Sequence, residues 1–165
     1  MEYKHRIADK LLAKKIESKG AILIEGRKWC GKTTTAEQQA ASILYMDNPA
    51  SLETNLQMAE IDPSVLLEGK APRLVDEWQL APKLWDAIRF EVDHRREVGQ
   101  FILTGSAVPA DEKDMHHSGT GRFSWLTMRP MSLYESGESN GKVSLASLFE
   151  TPSKICLLYT SDAAD

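Results

Sequence analysis

Gly26-Arg27-Lys28-Trp29-Cys30-Gly31-Lys32-Thr33 fits G-x-x-x-x-G-K-[ST] at every fixed position, and it follows the apolar run Ala21-Ile22-Leu23-Ile24. A strand, a glycine loop and then a helix is the setting a P-loop requires, and Thr34-Thr35-Ala36-Glu37-Gln38-Gln39-Ala40-Ala41 is compatible with that helix. The two glycines let the backbone turn so that consecutive N–H groups face phosphate oxygens. The positive end of the following helix faces the same anion. On this reading Gly26, Arg27, Lys28, Trp29, Cys30, Gly31, Lys32, Thr33 and Thr34 form a nucleotide cradle. Lys32 reaches the β and γ phosphates. Thr33 offers its hydroxyl to Mg²⁺, a hard ion that prefers oxygen ligands.

Such a site needs a second half on another buried strand. Pro72-Arg73-Leu74-Val75-Asp76-Glu77 is a short apolar strand ending in two adjacent acids, the form of a Walker B element. Asp76 can hold Mg²⁺ directly or through water, while Glu77, on the other face of the pleat, can polarise an attacking water. The plainer alternative is a pair of acids preceding a helical segment near Trp78, where a helix dipole favours them. A further strand, Gln100-Phe101-Ile102-Leu103-Thr104-Gly105-Ser106, ends in small polar residues. Thr104 is the first choice, and Ser106 the second, for a side chain touching the γ-phosphate or the attacking water; a plain turn is the alternative.

Around these motifs the elements alternate, which predicts an α/β fold with helices on both faces of a mostly parallel sheet. The first helix is expected over about Lys4 to Ser18, with Ile7, Leu11, Leu12 and Ile16 on its apolar face. A second strand is expected over Ser42 to Asp47, short helices over Leu52 to Ile61 and Pro63 to Leu67, and a longer helix over Pro82 to Arg96. In that last helix Leu84, Trp85, Ile88 and Val92 share one face as core. The 165 residues, 42% hydrophobic and 27% charged, suit one globular domain. The net charge of −4 gives nucleic acid and acidic membranes no support as partners. No apolar run is long enough to span a membrane, and Met1 to Lys10 is charged where a signal peptide would be apolar, so the expected compartment is the cytoplasm. Two cysteines make no disulfide framework, and Cys30 reads as a small filler within the P-loop.

After Ser106 the pattern weakens into the polar loop Ala107 to Thr120. Beyond it, Arg122 and Arg129 are candidates to neutralise charge on a γ-phosphate, in cis or from a neighbouring subunit, because a guanidinium stays charged and donates bidentately. His116 and His117 lack a third ligand at a useful spacing and read as loop residues. The final ten residues, Cys156 to Asp165, match what one frame of a common transposase sequencing adapter encodes. They are therefore expected to be library read-through, to be set aside in fold reasoning, with the natural gene continuing past about Ile155.

With these residues in view, the chain resembles the prokaryotic AAA-type ATPases in which an N-terminal ATP-binding domain precedes a C-terminal domain of unknown function. The resemblance covers nearly all of Tyr3 to Phe149. It rests on Ile22 to Thr33, on Leu74-Val75-Asp76-Glu77-Trp78-Gln79, on Leu103-Thr104-Gly105-Ser106, and on Gly121-Arg122 followed by Met128-Arg129-Pro130-Met131-Ser132-Leu133. The family implies an AAA-like P-loop NTPase sheet with the P-loop strand central, in the order 5-1-4-3-2, and ATP as ligand. The expected layout is an AAA-like ATP-binding domain at residues 1–150, the truncated start of a following region at 151–155 and the adapter-derived tail at 156–165.

The expected function is Mg²⁺-dependent ATP binding and hydrolysis. Lys32, Thr104, Arg122 and Glu77 form the catalytic set, and Thr33 and Asp76 hold the ion. The rival from another class is a nucleotide-gated switch or scaffold that binds ATP with little hydrolysis. Glu77 favours the enzyme, since a pure switch could dispense with it. Kinase transfer to a small molecule shares the P-loop, but no acceptor pocket or lid is readable. A homo-oligomer, or a protein partner engaged through a C-terminal region, would complete the assembly.

Overall fold

The computed structural model describes residues 3–105, 121–141 and Phe149. Ser106, the loop with His116 and His117, and the tail from Cys156 lie outside the described residues. Five strands form one all-parallel sheet: β1 Ala21–Gly26, β2 Ser42–Tyr45, β3 Arg73–Asp76, β4 Phe101–Thr104 and β5 Phe123–Met128, in the order β2-β3-β4-β1-β5. This is the expected order, with the P-loop strand between β4 and β5. The α/β fold is that of an AAA-like P-loop NTPase.

Alternation along the strands sends successive side chains to opposite faces, and both faces are covered. Ile22 and Ile24 of β1, Leu74 of β3, Ile102 of β4 and Leu126 and Met128 of β5 pack with Leu12 and Ala36 on one side. Leu12 belongs to α1 (Ile7–Ile16) and Ala36 to α2 (Lys32–Glu37). On the other side Leu23, Val75, Phe101, Leu103 and Phe123 meet residues of α3 (Leu52–Ile61), α4 (Pro63–Leu66) and α5 (Lys83–Arg95). Leu84, Trp85, Ile88 and Val92 of α5 are all buried, as its helical spacing predicted. Trp85 stacks on Phe123 with ring centroids 4.2 Å apart and sits 5.3 Å from Trp78, so an aromatic column joins α5 to the sheet.

Two elements depart from expectation. The stripe of α1 that meets the core is buried Leu12 with half-buried Ala8 and Ile16, spaced i, i+4 and i+8, while Ile7 and Leu11 are 57% and 47% exposed. Four apolar residues fall within an arc too wide for one contact, and the sheet takes the narrower stripe. Strand β5 carried no clear periodic signal, because only Phe123, Leu126 and Met128 are buried and Thr127 is exposed at the sheet's edge. Its pairing with β1 supplies what its own pattern lacks. A division of the chain falls between Met131 and Ser132. In the second unit the one-turn helix Leu133–Ser136 is capped by Ser132, whose hydroxyl accepts from the Glu135 N–H while the Glu135 carboxylate accepts from the Ser132 N–H.

The α1 correction has a direct check in urea unfolding. Leu12→Ala should cost about 2–5 kcal/mol by opening a cavity in the core, whereas Leu11→Ala should cost under about 1 kcal/mol.

Candidate functional site

The register aligns the carboxyl ends of the three central strands, where open parallel sheets present their ligand sites. Ile24 of β1 and Asp76 of β3 both pair with Thr104 of β4. Two residues beyond Ile24, Gly26 starts the loop. Its φ is 152°, and a Cβ there would sit 2.3 Å from the Met128 carbonyl oxygen of β5 and 3.0 Å from Cys30 Sγ. Only glycine fits against that backbone. Gly31, at φ 91°, closes the loop in the left-handed region and caps α2. The amides of Lys32, Thr33 and Thr34 then precede the intrahelical hydrogen-bond ladder, as first-turn amides do.

Lys32 is buried, and its Nζ donates to the carbonyls of Gly26 at 3.0 Å and Arg27 at 3.1 Å. An ammonium has three donors, so the side chain arches over the loop with capacity for one more acceptor. Arg27, Lys28 and Trp29 form the exposed crest. Trp29, at φ 68°, is 92% exposed, with Lys28 Nζ 5.9 Å from its ring centroid. Cys30 is buried as the filler expected.

Asp76 joins three elements. Thr33 Oγ1 of α2 donates to its Oδ1 at 2.9 Å, and Thr104 Oγ1 of β4 donates to the same oxygen. Burial pushes the Asp76 carboxyl above its ordinary 3.8, and the nearby carboxylates of Glu77 and Asp47 push the same way, while the two hydroxyl donors oppose them. A hydroxyl beside a carboxylate is an oxygen donor pair suited to a hard divalent cation that keeps waters and phosphate oxygens as its other ligands. Among the described residues no cluster of three or more His, Cys, Asp or Glu side chains could hold a metal. Glu77, one residue on, has a left-handed backbone at φ 53° and begins the 3-10 turn Trp78–Leu80; its Oε2 accepts from Gln79 Nε2.

The arginines separate. Arg122 precedes β5 at the end of the sheet where Ala21 begins β1, and it forms an ion pair with Asp93 of α5. The six residues of β5, about 17 Å of strand, carry the chain from there to the loop. Arg122 is thus not brought to the site of its own chain. Arg129 follows Met128, the partner of Gly26, and is exposed at the loop's end of the sheet.

Sequence reasoning missed the N-terminal segment. Arg6 is buried; its guanidinium donates to the carbonyls of Cys30 at 2.8 Å and Arg129 at 2.9 Å, tying the segment to the glycine loop and to β5. Tyr3 donates its hydroxyl to Asp9 Oδ1 at 2.6 Å and lies 3.2 Å from Thr35 Oγ1. Together with Gly31, Thr34, Gln38 and Met131, these residues line a cavity of about 480 Å³ beside the loop. The sequence offered no signal for this, because an arginine in a charged segment reads as surface.

A family model described as an AAA domain matches residues 18–137. The chain belongs to that family. Membership suggests nucleotide binding and an ATPase-like function. The chain is similar in structure to RIF2 of Saccharomyces cerevisiae, with a TM-score of 0.43 and 11% identity over 84% of this chain and 63% of that one. It therefore spans less than two thirds of the yeast protein, and likeness at this level says nothing of function. No curated protein matches the chain. Among the described residues no helix of this AAA domain is long and apolar enough to cross a membrane.

The charge on Asp76 opposes folding. A carboxyl whose folded pKa is raised loses relative stability as pH rises above the unfolded value of 3.8 and through the folded one. Asp76→Asn keeps an acceptor for both hydroxyls and removes the charge. Thermal unfolding should show the variant a few degrees more stable than the parent at neutral pH, with the gap closing as pH falls toward 3.8.

Proposed function

We propose that this AAA domain binds ATP with Mg²⁺ and hydrolyses its β–γ bond in the cytoplasm. The observation that carries the reading is the meeting of Thr33, Asp76 and Thr104 at one carboxylate oxygen, directly beside the glycine loop. The amides of the loop and Lys32 Nζ take the phosphates. Thr33 and Asp76 hold Mg²⁺, which when bound neutralises charge between the β and γ phosphates. Thr104 is fully buried and its hydroxyl is committed to Asp76, so it acts as a positioning residue for that carboxylate. The cavity between Tyr3, Arg6, Gln38 and Met131 accepts the nucleoside, because it opens beside Gly31 and Thr34 and its size suits a small ligand.

In the reaction a water oxygen forms a bond to the γ-phosphorus as the bond to the β–γ bridging oxygen breaks. ADP leaves with that oxygen's electron pair, and Glu77 takes the proton of the attacking water. Arg129 is the arginine this chain can bring to the developing charge; Arg122 can serve only across a contact with a second copy.

Binding has a built-in reporter. Of the four tryptophans, Trp29 alone is almost fully exposed, and it lies within the loop. ATP with Mg²⁺ should shield Trp29 from acrylamide quenching in a saturable way that Lys32→Ala abolishes; quenching unchanged by ATP in the folded parent would overturn the reading. Phosphate release by the parent should fall about 10²- to 10⁴-fold in Glu77→Gln, with Trp29 still shielded by ATP.

A further inference from the structure

Two residues in the motifs quoted above, Gln79 and Gly105, touch neither phosphate cradle nor ion pair of ligands, yet they touch each other. Gln79 Nε2 donates to Glu77 Oε2. A carboxylate only accepts, so the bond fixes which way the amide faces and turns its Oε1 away from Glu77. That Oε1 is buried, and among the described residues it has no hydrogen-bond partner. A Cβ at position 105 would lie 2.2 Å from Oε1 and 3.0 Å from Cδ of Gln79. The amide is therefore wedged between the Glu77 carboxylate and the backbone of Gly105. Packing alone gives no reason to seat a polar oxygen there, since burying it unpartnered costs free energy that an apolar side chain would avoid. The bond to Glu77 is the compensating gain.

We propose that Gln79 is a positioning residue for Glu77, seated by Gly105. This inference rests on the ATPase reading above. By binding Oε2, the amide helps set the rotation of the carboxylate that takes the water proton as the bond to the γ-phosphorus forms and the β–γ bridge breaks. The end of β4 then sets both acids. The Thr104 hydroxyl holds Asp76, and the bare Cα of Gly105 admits the amide that holds Glu77. The last residue of β4 and the one after it thus tie the ion's ligand to the proton acceptor.

Gly105 offers a clean probe. Its φ lies outside the left-handed region, so alanine brings no backbone strain there, and the atom it would displace is the far end of the Gln79 side chain. Steady-state phosphate release should show kcat lowered about 10²-fold in Gln79→Leu and lowered likewise in Gly105→Ala, as expected when a reacting group is misplaced by about 1 Å. KM for ATP and the melting temperature should stay at the parent's values. In the Glu77→Gln background, Gln79→Leu should cause no further loss, because it acts through the carboxylate already removed. Parent-like kcat in both single variants would overturn the proposal. So would a loss that multiplies fully with Glu77→Gln, or a loss confined to KM or stability, since those mark a general structural role. A parent that turns over ATP while ignoring Gln79 rejects the positioning role alone. A parent that binds ATP without any turnover rejects the hydrolytic reading and this inference with it.

Discussion

One carboxylate oxygen holds the centre of this molecule together. Asp76 Oδ1 receives hydroxyls from the helix after the glycine loop and from the neighbouring strand, so α2, β3 and β4 share an anchor at one point. The arrangement has a cost. Burial disfavours the Asp76 charge, and the acids beside it add to the penalty. A fold selected for stability alone would place an amide or an apolar side chain there. The proposed role in holding a cation gives that carboxylate a reason to stand beside the Thr33 hydroxyl.

The remainder of the fold serves to hold that point still. The strands that carry Asp76, Thr104 and the loop are buried on both faces, so none can shift its register without turning core side chains to the wrong layer. The aromatic column of Trp78, Trp85 and Phe123 clamps α5 beneath the sheet, and Trp78 follows Glu77 directly. The backbone at Glu77 is therefore braced from below. On the opposite layer Arg6 reaches from the first residues to the loop and to the end of β5. Buried donors of this kind hold a loop by its carbonyls while leaving its amides for a ligand.

Much of this was legible from local pattern. The glycine loop, Asp76 at the end of β3, Thr104 at the end of β4 and the apolar face of α5 depend on spacing within a few residues, and each appears where its spacing puts it. Glu77 instead leaves the pleat in a left-handed conformation and begins a 3-10 turn. The α1 face was read too broadly, because four apolar residues in a ten-residue helix do not say which of them meets the sheet. Edge strand β5 was hidden for a related reason. An edge strand has a neighbour on one side only, so side chains along it are partly exposed and its own alternation is weak.

What distant residues do to one another lay beyond any local pattern. Residues chosen for their chemistry, Thr33, Asp76 and Thr104, stand 43 and 28 positions apart in sequence and meet at one oxygen. Arg122 and Arg129 look equivalent in the chain, yet six residues of extended strand send them to opposite ends of the sheet. Arg6 reads as surface charge until folding buries it against the loop. Motif chemistry is local, since it follows from residue types a turn or a strand apart. Orientation, pairing and burial are not, because they depend on which surfaces the sheet brings together, and only the folded chain decides that.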